Sequence, residues 1–563
     1  MMAETLIDAQ FVDYAILAIY FGFVLGIGLL ARRHISDSVD FFLSGRSLPA
    51  WVTGLAFISA NLGAVEIMGM SASGAEFGLP TVHYFWVGAI PAMLFLGVVM
   101  MPFYYGSKVR SVPEFMLRRF GPGAHLVNAI SFALAQLLIA GVNLYLLSTI
   151  VQALLGWPRW TALFVAAMVV LFYITLGGLS AAIYNEVLQF FVIVAALLPL
   201  TLIGLHRVGG WSGLTDEITK AAANNEAGPP ADQQLNSWPG QALTGFDSPL
   251  LSVIGIVFGL GFVLSFGYWT TNFVEVQRAM ASNSMSAAQR SPIIGSFPKM
   301  FVPFIVVIPG MLAAVTVSEL VQLKEDGSGG ATYNDSILFL MRDLLPNGML
   351  GVAIAGLLAS FMAGMAANIS AFNTVFSYDL WQTYLVKEKD DSYYTGVGRV
   401  ATVAATVIAI GTATFAANYS NIMTYLQTLF GFFNAPLFAT FILGMFWKRM
   451  TAAAGWSGLV AGTVAAVTVW VLSEDVLGVI AIGEQGAAFV AAGAAFVVDI
   501  IVSVVVSLGT EPKAESELEG LVYSRERRAR QHAEYSRLPW HQQPARLAGV
   551  SLGLVVLLNI LFW

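Results

Sequence analysis

Apolar runs of about 20 residues, the length that crosses a bilayer's hydrocarbon core as a helix, recur along almost the whole chain. Charge, Gly or Pro separates them. They fall at roughly 11–31, 51–73, 80–104, 123–153, 158–177, 180–205, 250–277, 293–318, 346–383, 397–417, 421–446, 452–473, 485–508 and 545–563. The pattern predicts an all-α membrane protein of about 14 transmembrane helices. Residues 206–249, 319–345 and 509–546 are hydrophilic and read as connectors. The last contains "YSRERRARQHAEYSR", which suits a short helix lying against anionic membrane lipid.

The N-terminal run has acids before it and Arg32–Arg33 after it, with no basic leader or cleavage site, so it reads as a retained span with its N-terminus outside. Alternating from there places 21 of the 27 Lys and Arg residues on the inner side, as the positive-inside rule requires. Both termini then come out extracytoplasmic, and 509–546 becomes a cytoplasmic linker before the last helix. The expectation is one multi-pass domain, 1–563, in the cell membrane. The sequence names no oligomeric state.

Composition narrows the function. The chain is 57% hydrophobic and only 11% charged, against roughly 25% charged in soluble domains; its mean hydropathy is +0.74. No cysteine is present, which excludes disulfides and thiol chemistry. A pI near 5.4 without a basic stripe argues against nucleic acid. There is no His/Cys metal cluster, phosphate-cradling loop or Ser/His/Asp arrangement, so an enzyme is not expected, and neither is a resident cofactor. No signalling domain marks a sensor, and no filter ring marks a channel.

Polar groups inside the apolar runs are costly and concentrate where a cavity or a partner receives them. In "AFISANLGAVEIMGM" they are Ser59, Asn61, Gly63 and Glu66. In "LSFGYWTTNFVEVQR" they include Ser265, Tyr268, Trp269, Thr270, Thr271 and Asn272; rings beside hydrogen-bonding groups suit a sugar. These two interrupted runs lie five helices apart, at matching positions of two inverted halves, 51–205 and 250–446. That pairing points to a transporter's midplane binding site. The first cluster could instead be a satisfied interhelical hydrogen bond with Gly63 as a packing notch, and the second a core or interfacial aromatic belt. Lys299 either donates to a solute or snorkels to the interface. Glu186, in "LGGLSAAIYNEVLQFF", either neutralises a passing cation or pairs with an Arg. The run at 346–383 offers Ser360, Asn368, Ser370, Asn373 and Thr374, and Gln427 is a further intramembrane amide. His83 reads as structural.

The segments "AFISANLGAVEIMGMSASGAEFGL", "LGGLSAAIYNEVLQFF", "VQRAMASNSMSAAQ" and "PKMFVPFIVVIPGM", with "FILGMFWKRMTAAAGW" close behind, resemble the sodium/solute symporter family, nearest its sodium–glucose branch. The resemblance spans roughly 11–510 plus a final helix. It implies a leucine-transporter-like core of five plus five inverted helices, one helix before it and several after, working by alternating access on a sodium gradient. In that branch Lys299 and Gln427 match sugar contacts, and Glu66 stands where an amide is found. Tyr268 and Trp269 match the aromatic that closes the site from the cytoplasm, and Asn61 the residue that steadies this gate. Phe85 stands where galactose-transporting members have a carboxylate, and Gly88 and Ser265 replace other polar contacts; a deoxy sugar or less polar solute suits Phe85 better. The family's sodium site maps onto carbonyls of Ser59, Leu62, Ser360 and Ala363, with Ala363 and Gly364 where hydroxyls are usual and Glu186 as the nearby acid. The expectation is import of a sugar or related polyol coupled to Na⁺. The alternative is a carrier coupled to H⁺, through Glu66, Glu186 or Glu275, or to no ion, taking a carboxylate, amino acid or vitamin-like solute.

Overall fold

The computed structural model describes residues 7–31, 46–109, 111–225, 229–328, 330–473 and 477–563. Arg32, Arg33 and Arg110, used in the charge argument above, lie outside the described residues. Among those described, the architecture is helical throughout, with no strand. Eleven helices are long and apolar enough to cross a membrane, or twelve when a bent pair counts as one span. The remaining two runs are the shorter apolar helix Phe11–Val24 and the first part of a longer helix.

In chain order the spanning elements are α1 (Phe11–Ala31), α2 (Ala50–Asn61), α3 (Ala64–Phe77), α4 (Leu79–Tyr104), α5 (Pro122–Leu155), α6 (Arg159–Val208), α7 (Pro249–Thr271), α8 (Phe273–Met280), α9 (Met285–Lys299) and α10 (Pro303–Thr316). They continue with α11 (Met349–Thr374), α12 (Asp391–Ala416), α13 (Ile422–Phe446), α14 (Ala452–Leu472), α15 (Glu484–Gly509), the polar α16 (Arg525–Tyr535) and the final α17 (Pro544–Leu561). The five-plus-five core opens each half with a broken helix, α2/α3 and α7/α8, with the two runs of α6 counting as the fourth and fifth members of the first half. One helix precedes it and α14, α15 and α17 follow. The runs expected at 158–177 and 180–205 join into the single helix α6 of 50 residues. The junction "LGGLSAA" holds neither a proline nor a charge, so nothing there removes a backbone donor or draws the chain to water.

The breaks follow from their residues. Asn61 and Gly63 are weak helix formers. Helix α2 stops at Asn61, Leu62 leaves helical geometry at ψ 42°, and Gly63 is extended before α3 restarts. The two halves bend by 55°. In the second half Asn272 is extended at ψ 115°, and its Oδ1 accepts from Val274 N at 3.0 Å, capping α8 in the manner of an N-cap amide. Both breaks expose helix ends whose backbone groups have no intrahelical partner.

Close packing locks the core. A Cβ on Gly310 of α10 would sit 2.0 Å from Ser71 O of α3, so only glycine lets these backbones touch, as at small-residue contacts between membrane helices. Helix α11 lies against α6, α2 and α3. Its amino end is held by α1: Asp13 Oδ1 accepts from the backbone N of Gly348 and of Gly351, each at 2.7 Å.

Candidate functional site

A cavity of about 800 Å³ of atom-free space, part of it continuous with the exterior, lies between the two broken helices. Its lining includes Asn61 and Glu66 from the first, and Ser265, Tyr268 and Trp269 from the second. Phe85 comes from α4, Lys299 from α9, Gly364 from α11 and Gln427 from α13. Five elements far apart in sequence thus bring all seven expected solute contacts, and the expected gate residue Asn61, to one space.

Lys299 organises the centre. It ends α9, where the helix is interrupted through Met300–Val302 before Pro303 begins α10. The indole N–H of Trp86 donates to Met300 O at 2.9 Å, bracing the interruption. The ammonium is 1% exposed and therefore does not snorkel. It donates to Glu66 Oε1 and to Asn61 Oδ1. Its Nζ also lies 5.1 Å from the Phe85 ring centroid and 5.2 Å from that of Trp269, within cation–π range. A buried ammonium with one carboxylate, one amide oxygen and two ring faces is neutralised in place. Trp269 stacks in turn on Phe57, with centroids 5.6 Å apart.

Toward the second break, Asn61 Nδ2 donates to the Tyr268 hydroxyl at 3.2 Å, and that hydroxyl donates to Glu275 Oε1 at 3.0 Å. The Tyr268 ring faces Phe430 at 4.6 Å between centroids. Gln427 is buried and, among the described residues, its amide N–H reaches only Met423 Sδ, at 3.3 Å, a weak acceptor that leaves the amide available to a solute. Ser265 Oγ fills the space a Cβ on Gly88 would occupy.

At the first break the backbones of α2/α3 and α11 meet. A Cβ on Gly63 would lie 3.2 Å from Gly364 Cα and 3.8 Å from Ser360 O. The hydroxyls of Ser59 and Ser360 are fully buried and have no hydrogen-bond partner among the described residues. Leu62 is buried beside them in the chain, and the side chain of Ala363 lies outside the described ones. Glu186 is elsewhere: fully buried, it takes both arms of Arg278, at 2.6 and 3.3 Å, and is not among the cavity's lining residues. His83 is buried against Ser237 O at 2.7 Å, in keeping with a structural role.

Sequence reasoning missed Asn143 of α5 and the hydrophobic wall of Met70, Met423 and Phe430, all of which line the cavity. Asn143 was detectable, since it is an amide in the middle of an apolar run. Its Nδ2 donates to Ile139 O at 3.1 Å, leaving Oδ1 buried without a partner among the described residues. The wall carried no signal, because Met and Phe are ordinary in any membrane helix.

A cavity with convergent polar groups between two discontinuous helices, within a multi-pass helical core, is the arrangement of a transporter. The chain belongs to the sodium:solute symporter family, which matches residues 41–462. It is 29% identical over 471 residues to a sodium/glucose cotransporter of Vibrio parahaemolyticus, covering 81% of this chain and 84% of that one. It is 28% identical over 476 residues to sodium/myo-inositol cotransporter 2 of Mus musculus, covering 80% and 68% respectively. A solved Na⁺-coupled sialic acid symporter in a substrate-bound, outward-open state shares the fold, with a TM-score of 0.70 at 18% identity over 89% of this chain and 99% of that one.

Proposed function

We propose that this protein imports a small, uncharged, hydroxyl-bearing solute, a sugar or related polyol, driven by Na⁺ through alternating access. One observation carries the reading: Glu66, Phe85, Ser265, Tyr268, Trp269, Lys299 and Gln427 line a single cavity between two broken helices. Relatives named for glucose and myo-inositol support the solute class. The neutralised Lys299–Glu66 pair argues against a carboxylate, since the ammonium is already matched. Amides and rings remain to bind hydroxyls and an apolar face. Phe85 supplies such a face, which favours a solute with fewer hydroxyls on that side.

Na⁺ fits the region where Gly63 meets Gly364. Carbonyls of Ser59, Leu62 and Ser360 supply hard oxygen, as unwound helix backbone does in transporters. The partnerless hydroxyls of Ser59 and Ser360 add oxygen atoms where Ala363 and Gly364 carry none. Tyr268, steadied by Asn61, closes the cavity toward the cytoplasm.

The test is uptake into proteoliposomes of labelled sugars, polyols and carboxylates, under an imposed Na⁺ gradient or a pH gradient. Accumulation of a neutral polyol or sugar on the Na⁺ gradient alone is the expected result. Preference for a carboxylate, or accumulation on the pH gradient alone, overturns the reading.

A further inference from the structure

The buried charges around the gate do not balance. Three carboxylates, Glu66, Glu186 and Glu275, face two cations, Lys299 and Arg278, and all five residues are at most 8% exposed. Glu66 takes Lys299, and Glu186 takes Arg278 with both oxygens. Arg278 Nη1 is spent on Val274 O and Gln277 Oε1, each at 3.1 Å. Glu275 is left with neutral donors only: Tyr268 OH at 3.0 Å and Asn61 Nδ2 at 3.5 Å, both on Oε1. Its Oε2 is buried and has no partner among the described residues.

The elements packed on α8 supply nothing more. Helices α2 and α11 contain no titratable residue, α7 brings Tyr268, α9 brings Lys299 and Arg290, and α6 brings the Glu186 already paired with Arg278. A bare carboxylate oxygen at 0% exposure is expensive unless a positive charge covers it. Position within α8 helps only partly. Glu275 is the third residue of that helix, where the partial positive charge of the amino end is felt but no side chain completes the shell.

We infer that Glu275 is a proton-binding latch of the inner gate: a proton taken from the cytoplasmic side sits on Oε2, and its arrival loosens the hold of Oε1 on the Tyr268 hydroxyl. The deprotonated carboxylate accepts a charge-assisted bond, roughly twice as strong as the neutral one that remains after protonation. The same proton brings the five-group cluster to neutrality. Glu275 acts through Tyr268 and so is a positioning residue, and Asn61 couples it to the cavity because that amide also accepts from Lys299. The inference rests on the function proposed above only in naming Tyr268 as the gate.

The chain's lack of cysteine makes the test direct. A single cysteine at Ala60, which lines the cavity, is labelled from the cytoplasmic face of vesicles by a membrane-impermeant thiol reagent, with no solute and no Na⁺ gradient. The labelling rate, divided at each pH by that of a free thiol because the thiolate is the reacting form, should rise about tenfold from alkaline to acid pH, the factor set by the energy difference between a charged and a neutral bond. In a Glu275→Gln background it should be fast and independent of pH, and Glu275→Asp should restore the dependence. Infrared spectra of the wild-type protein guard against a misfolded variant: a protonated-carboxyl band should fade on alkaline titration in step with the labelling. A wild-type rate that ignores pH, or a Glu275→Gln rate that still follows it, overturns the inference. So does a band that Na⁺ removes at constant pH, which would assign Oε2 to a metal ion. None of these results depends on which solute is carried or on whether Na⁺ drives it.

Discussion

At the scale of single residues, Lys299 and Glu66 were both legible as intramembrane ionisable groups, because such groups persist only with a partner or a wet cavity. That each is the other's partner was not legible, since 233 residues separate them and no local rule spans that distance. Removing one member strands the other. Lys299→Met should therefore destabilise by about 3–5 kcal/mol, while the double replacement Glu66→Met/Lys299→Met should recover most of the loss. Thermal unfolding of the two purified variants measures this, and a double variant no more stable than the single one contradicts the pairing. Gln427→Ala should behave differently. Its amide bonds only a sulfur among the described residues, so stability should barely change while the half-saturation for solute rises, by about tenfold at most if one hydrogen bond is lost. Uptake kinetics over a concentration series would show it. Asn143 and Glu186 mark the two ways residue-level reading fell short. The first was a signal not used. The second offered two partners, and a guanidinium 92 positions away took the carboxylate.

At the scale of elements, the two breaks were readable because poor helix formers and polar groups interrupt otherwise apolar runs at Asn61–Gly63 and Thr270–Asn272. The continuity of α6 was not readable. Small residues at 177–182 look like a turn by composition, but glycine without proline can remain helical inside a packed bundle. The capping of α11 by α1 was equally hidden, since Asp13 has the look of a residue at the start of its own helix. Its carboxylate does that with Oδ2, which accepts from Gln10 N at 2.9 Å, and also serves two backbone donors of another helix with Oδ1. Asp13→Ala should cost about 1–2 kcal/mol, the range for loss of a helix cap, and should speed amide hydrogen exchange at Gly348 and Gly351 more than at residues in mid-helix. Uniform exchange along α11 would show that the carboxylate does not hold that end.

At the scale of the whole molecule, the helical membrane fold class followed from hydropathy, while two of the expected runs proved to be one helix, and the family followed from motifs spread over most of the chain. The shape of the cavity did not, because it depends on how α4, α5 and α13 wall in the two breaks. Outside the spans, the polar connector after α10 carries its own anchor. The Arg342 guanidinium beside Glu319 holds that carboxyl down to about 2, at 2.9 Å in the ion pair. A carboxylate whose folded value is depressed stabilises the folded state above the ordinary carboxylate range and loses that contribution as pH falls. The difference in melting temperature between wild type and Arg342→Ala should thus be nearly constant well above pH about 4.3, the unfolded value, fall progressively below it, and vanish only below the folded value of about 2. A difference that persists in acid would assign the stabilisation to something other than this pair. The bond from α1 to the amino end of α11 also has a mechanical meaning. With Gly348 and Gly351 tethered on either side of Met349, α11 can tilt but not slide. At 1.5 Å per residue Ser360 lies about 16 Å from the fulcrum and Thr374 about 37 Å. A swing just large enough to part Ser360 from the first broken helix must carry the far end, where Gln277 donates to Thr374, more than twice as far, so a small displacement beside the cation becomes a large one beside the gate.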